Sequence, residues 1–216
     1  MVSVALTPLP RLNTQLTLRW LDIADLLADQ WGFITSGQCA RLELTRTDQK
    51  RLRQNGYLAP VVHGVMCQPD HLGDRVTDTA RLAWVAAGKD LFPSERLSAQ
   101  WPDYVVTAMT ALELHGLGEA SCPLPQLAVI RTSSGHRRTT TAELLGVSQP
   151  LSWHHDVTVL DGLPVATPAS AITVLGTEGR HLLDDLTGYL HKIAETAADH
   201  PDHDVIMEAI ASVIEH

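Results

Sequence analysis

The chain of 216 residues is short of three things: cysteine, lysine and long apolar runs. Its three cysteines, Cys39, Cys67 and Cys122, lie far apart with no Cys-x-x-Cys spacing. They cannot frame a zinc site by themselves, and an odd number of thiols argues against a disulfide scaffold. No apolar stretch approaches the ~20 residues that cross a bilayer. The first residues, with Pro8, Pro10 and Arg11, lack the apolar core of a secretion signal, so the expected setting is cytoplasmic, without a membrane partner. Internal repeats and low-complexity tracts are absent as well.

Catalytic signatures are missing too. There is no Gly-x-Ser-x-Gly elbow, phosphate loop or dinucleotide fingerprint. A metal-dependent nuclease wants an acidic residue followed by (Asp/Glu)-x-Lys at a strand end. The one match, Asp48-Gln49-Lys50, falls inside an expected helix. His154-His155-Asp156 and the pair His200 and His203 invite a metal reading. Adjacent histidines before a strand face opposite ways, however, and Pro201 spoils helical spacing between the other two. His115 reads as a hydrogen-bonded structural residue. The expectation is no enzyme, no catalytic residue, no metal and no cofactor.

What is present suits two small folded parts. The hydrophobic share is 44% and the charged share 19%, which excludes wholesale disorder. The net charge of −9 is unevenly spread: seven basic and five acidic residues precede Val65, while nine and twenty follow. Within that acidic chain Arg41, Arg46, Lys50, Arg51 and Arg53 crowd together, against only Glu43 and Asp48. Such a knot points to an anionic partner, DNA first.

The fold class expected is α+β: an arm over residues 1–16, a winged helix-turn-helix over 17–68, and a mixed α/β domain over 74–216 that ends in helices. A first helix runs from Thr17, with Leu18, Leu21, Ala24, Leu27 and Trp31 as its apolar positions and Gly32 as its stop. Thr35-Ser36-Gly37-Gln38 is a capping box that opens a second helix with Cys39, Ala40 and Leu42 inward. Thr45 caps a third helix, stopped by Asn55-Gly56. Two β-like pieces, 57–62 and 65–68, join through His63-Gly64. Beyond them, Asp74 starts a helix to about Ala87, with Trp84 inward. Thr107 caps a segment to Leu114, 127–131 reads as a strand, and 132–142 as a polar loop. Asp161-Gly162 marks a hairpin, Thr167-Pro168 a helix start, and two helices close the chain at about 180–198 and 203–215.

On the third helix Arg46, Gln49, Lys50 and Arg53 share one face, with Leu52 on another as anchor. Arginine can bridge guanine O6 and N7, glutamine adenine N6 and N7, and lysine can neutralise phosphate. Thr45 and Thr47 at the helix start offer hydroxyls and N–H groups to phosphate. His63, near the hairpin tip, is a further candidate for backbone or minor-groove contact. Arg131, Arg137 and Arg138, around the polar loop, are candidates for a second basic surface.

With these residues laid out, the chain resembles the AbiEi family of antitoxins from bacterial abortive-infection toxin–antitoxin systems. The first part of the likeness is GFITSGQCARLELTRTDQKRLRQNGYLAPVVHGVM, where Met66 stands in place of the family's frequent Tyr. The second is ALELHGL (Ala111–Leu117), VIRTSSGHRR and VTVLDGLPVATPASAITVL (Val157–Leu175). The resemblance implies an N-terminal winged helix that represses its own operon. It also implies a C-terminal domain that counteracts a co-encoded nucleotidyltransferase-type toxin, with or without direct contact. Carried over by position, Arg46, Gln49, Lys50 and Arg53 would face promoter DNA, and Arg131, Arg137 and Arg138 would form the second basic surface. One half-site is too short to specify a promoter, so the expected DNA partner is a duplex with inverted repeats, met by a protein that is monomeric when free. The alternative is a ligand-responsive regulator whose Trp84, Trp101 and Trp153 line a small-molecule pocket.

Overall fold

Asn13 opens the first helix: its Oδ1 accepts from Leu16 N at 2.8 Å, which satisfies one of the free N–H groups of α1 (Thr14–Asp29). The structure, a computed structural model, describes residues 12–71, 75–119, 122–130 and 136–215. Leu16, Ile23 and Leu27 of α1 are buried and Trp20 is half-buried, whereas Leu18 and Leu21 are 62% and 57% exposed. The expected stripe through Leu18, Leu21 and Ala24 is therefore corrected. Steps of three residues fall about 60° short of a full turn each time and wind off any one face. The alternation of three and four through residues 16, 20, 23 and 27 stays on one face. The helix also begins three residues earlier than the arm expected over 1–16 allows; residues 1–11 of that arm lie outside the described residues.

β1 (Phe33–Thr35) leads into α2 (Ser36–Arg41) through the expected capping box: Gln38 N donates to Thr35 Oγ1 at 3.0 Å and Thr35 N to Gln38 Oε1 at 2.9 Å. Cys39 is buried, but Ala40 is exposed and Leu42 only half-buried. The inward place goes to Gln38, whose amide exchanges hydrogen bonds of 2.9 and 3.0 Å with buried Gln30. α3 (Arg46–Gln54) ends at Asn55, and Gly56 takes φ +76° beyond it. β2 (Ala59–Val62) and β3 (Val65–Cys67) form an antiparallel hairpin, and β3 pairs on its other edge with β1, giving the order β1-β3-β2. Leu16, Ile23, Leu27, Ile34, Cys39, Leu44, Leu52, Leu58 and Met66 form one apolar core under this unit.

The chain folds as two units, and the division is not a single cut: the first takes residues up to 72 together with Lys89–Pro93, the second 73–88 and 94–216. In the second, α4 (Val76–Gly88) buries Ala80, Ala83, Trp84 and Val85. The expected cap Asp74 lies outside the described residues. α5 (Pro93–Leu97) places Arg96, 3% exposed, so that its guanidinium stacks 3.5 Å over the Trp84 ring and meets the Asp103 carboxylate at 2.8 Å. There follow β4 (Tyr104–Val106), α6 (Ala108–Leu114), β5 (Gln126–Ile130), β6 (His136–Arg138), β7 (Glu143–Val147), β8 (Val157–Leu160) and β9 (Leu163–Ala166). These strands make a mixed sheet in the order β6-β7-β5-β4-β9-β8, parallel at β5/β7 and β4/β9. The loop expected over 132–142 is corrected at its centre, since His136–Arg138 pair antiparallel with Glu143–Leu145. The hairpin at Asp161-Gly162 is present, with φ +48° and +81° at the two turn residues.

Thr107 and Thr167 stand at the N-caps of α6 and α7 (Pro168–Thr177), but neither side chain accepts a capping hydrogen bond, and Thr107 Oγ1 is buried without a partner among the described residues. The helix expected over 180–198 is also shorter. That span holds a 3-10 turn at Arg180–Leu182, then α8 (Leu186–Thr196), opened by Asp185 accepting from Gly188 N at 2.8 Å, and a second 3-10 turn from Ala197 to Asp199. α9 (His203–Ile214) buries Ile206, Ile210 and Val213.

Candidate nucleic-acid interface

Thr45 and Asp48 close a reciprocal cap at the start of α3. Asp48 N donates to Thr45 Oγ1 at 3.1 Å, while Thr45 N (3.1 Å) and Thr45 Oγ1 (2.7 Å) both donate to Asp48 Oδ2. The same oxygen lies 3.1 Å from Arg19 Nη1 of α1. The Thr45 hydroxyl, then the backbone bond and the charges of Arg19 and Arg51, outweigh burial and hold the Asp48 carboxyl below its ordinary range. Two consequences follow. The acidic residue in the first turn of the basic helix is paired with Arg19 of α1, and the Thr45 hydroxyl and N–H expected to meet phosphate are given to Asp48 instead. Thr47 is exposed at the same end.

Leu52, fully buried, fixes which way α3 turns. With that residue inward, Arg46, Lys50 and Arg53 are exposed, and none of their side chains has a hydrogen-bond or ion-pair partner among the described residues. Arg41 differs. Its Nη1 donates to Asp90 O at 2.9 Å and its guanidinium covers the Phe92 ring at 4.2 Å, so this member of the basic cluster holds structure. Gln49 is half-buried and donates from Nε2 to Leu44 O at 3.3 Å.

Between α3 and the β2–β3 hairpin lie two adjoining depressions of about 440 and 570 Å³. Ser36, Gln49, Arg53, His63 and Gly64 line both, and Arg46 joins them in the second. Ser36 N donates to Gly64 O at 2.8 Å, tying the start of α2 to the hairpin tip and so setting the hairpin against α3. Exposed His63 sits at that tip. Sequence reasoning missed Ser36 and Gly64 because a serine in a capping box and a glycine in a turn already have local explanations. Their shared hydrogen bond spans 28 positions.

The second basic surface is not assembled as expected. Arg137 and Arg138 are exposed, but as neighbours in β6 they leave the strand on opposite faces, and Arg138 Nε lies 3.4 Å from Glu143 Oε1. Arg131 lies outside the described residues. His154 and His155 are exposed with ring centroids 6.5 Å apart; His200 Nδ1 accepts from Asp202 N, and His203 Nδ1 meets Ala197 O at 3.0 Å. No cluster of His, Cys, Asp and Glu suited to a metal occurs among the described residues. Trp84 donates to Tyr104 O and Trp153 to Ala99 O, while Trp101 is 44% exposed; the three do not share one of the depressions described. No helix among the described residues is long and apolar enough to cross a membrane.

The segments Ala111–Leu117 and Val157–Leu175 meet each other. His115 Nε2 lies 3.0 Å from Ala166 O, so the Leu114–Leu117 motif is bonded to the end of the hairpin motif. No protein-family model and no curated protein matches the chain.

Proposed function

We propose that the first unit is a winged helix-turn-helix that binds the promoter of its own operon as a repressor. The second unit, on this reading, acts as an antitoxin toward a co-encoded nucleotidyltransferase-type toxin. The observation that carries the DNA half is the unpartnered cationic face of Arg46, Lys50 and Arg53 beside a groove walled by a hairpin, in a chain of net charge −9. The order helix, strand, helix, helix, hairpin suits insertion of α3 into the major groove with β2–β3 alongside. The antitoxin half rests on the resemblance at Ala111–Leu117 and Val157–Leu175. A ligand-sensing role would need Trp84, Trp101 and Trp153 around one pocket, and the three do not share one of the depressions described.

The protein is expected to prefer its own promoter duplex, carrying inverted repeats, over random duplex, with affinity falling steeply as added salt shrinks the gain from counterion release. Replacing Arg46, Lys50 and Arg53 together by Ala should abolish the shift of the promoter fragment while leaving circular dichroism unchanged. Each lost phosphate contact should flatten the salt slope by about one. Normal binding by the triple variant would refute the assignment. The same variant should still protect cells expressing the neighbouring toxin gene; loss of protection at equal protein level would refute an antitoxin role located in the second unit.

A further inference from the structure

The cations of α3 are not equivalent in position. Seven residues separate Arg46 from Arg53, within about 20° of two whole turns, so the two side chains leave the helix along one line. Along the axis they stand about 10.5 Å apart, enough for the two side chains to reach different base pairs of one major groove. Lys50 lies to one side of that line. Gln49 lies to the other, half-buried on the hairpin side, with its Nε2 turned to Leu44 O at 3.3 Å. A bidentate grip on adenine needs that nitrogen and Oε1 together at the base edge.

We propose that Arg46 and Arg53 are a paired guanine reader. Each half-site carries two G·C pairs at a fixed spacing, gripped at guanine O6 and N7, and Gln49 reads no base. The inference rests on the DNA-binding reading above and adds its specificity. Guanidinium is the group that fits: its planar fork meets O6 and N7 together, whereas the ammonium of Lys50 is a point charge suited to the flanking phosphate. Both arginines are free of protein partners among the described residues, so no internal bond is broken when they dock. Asp48, the nearest carboxylate on the helix, is already held by Thr45 and Arg19.

The test is selection of randomised duplexes by the full-length protein, followed by anisotropy titrations at one fixed salt concentration. Selected duplexes should share two G·C pairs at one fixed spacing. Replacing either guanine by 7-deazaguanine, which lacks N7, should weaken binding about tenfold. Arg46→Lys and Arg53→Lys keep the charge and lose the fork, so each should erase the preference at one of the two pairs and spare the other. Salt-dependent binding without the guanine pair, or Lys variants that select the same duplexes as the parent, would overturn the paired reader while leaving the DNA reading in place. Absence of binding to any duplex at low salt would overturn both.

Discussion

His115 lies inside the motif that carries the family resemblance, yet its surroundings describe a structural residue. Its Nε2 donates to Ala166 O, and burial pushes the imidazole below its ordinary value of 6.5, with the Ala166 carbonyl pulling less strongly the other way. The native state therefore binds this proton less readily than the unfolded chain. The resulting stability is complete above about pH 6.5 and is lost as pH falls through the lowered native value. His115→Gln keeps a donor toward Ala166 O and removes the titration. Urea unfolding of both chains from pH 7.5 to 5 should show the parent losing more stability than the variant over that span. Parallel curves would remove the linkage from His115. Cys39 makes the related point for thiols: burial raises it to about 12, so it packs as a small apolar group without thiolate chemistry.

At the scale of elements, α2 is held by a stretch 49 to 54 positions away. Thr35 Oγ1 donates to Lys89 O, Gln38 Nε2 to Leu91 O at 2.8 Å and Arg41 Nη1 to Asp90 O at 2.9 Å, so 89–93 lies as a strap on the helix that precedes α3. Gly37 makes the approach possible: a Cβ there would sit 2.9 Å from Asp90 Cβ and 3.1 Å from Lys89 O. On an ordinary exposed helix Gly→Ala stabilises by up to about 1 kcal/mol. Here overpacking against backbone should reverse the sign, so Gly37→Ala should destabilise the first unit by about 1–3 kcal/mol in thermal melts. A gain in stability would mean that the strap does not pack on α2.

For the whole molecule, the strap means that the first unit is not contained in residues 1–72. A fragment ending there loses the bonds that Thr35, Gln38 and Arg41 make to 89–91, each worth about 0.5–1.5 kcal/mol. That fragment should melt well below the first transition of the full chain, whereas residues 70–216 should unfold cooperatively alone. Equal melting of the short N-terminal fragment and the full chain would show that 89–93 adds nothing. This alters the simple picture of a first unit over 17–68 followed by an independent domain: the α2 that precedes α3 is held by chain that lies beyond α4.

The sequence by itself determined what closes within a few residues. The Thr35–Gln38 box, the Thr45 cap, the Asn55-Gly56 stop and the Asp161-Gly162 turn were legible because donor and acceptor lie three or four positions apart, or because a turn needs positive φ at its own residues. The basic face of α3 was legible for the same reason, since helical spacing alone places Arg46, Lys50 and Arg53 together. Tertiary structure decided what depends on distant chain. It chose Leu16 and Ile23 over Leu18 and Leu21 as the inner side of α1, because the core that covers one side comes from Ile34, Leu52 and Leu58. It drew Arg41 to Asp90 and Phe92, gave Asp48 to Arg19, and paired His136–Arg138 with β7, turning Arg137 and Arg138 to opposite faces. Composition and spacing register that a charge exists; whether it is spent inside the protein or left for a partner is set by which groups the fold brings within about 3 Å of it.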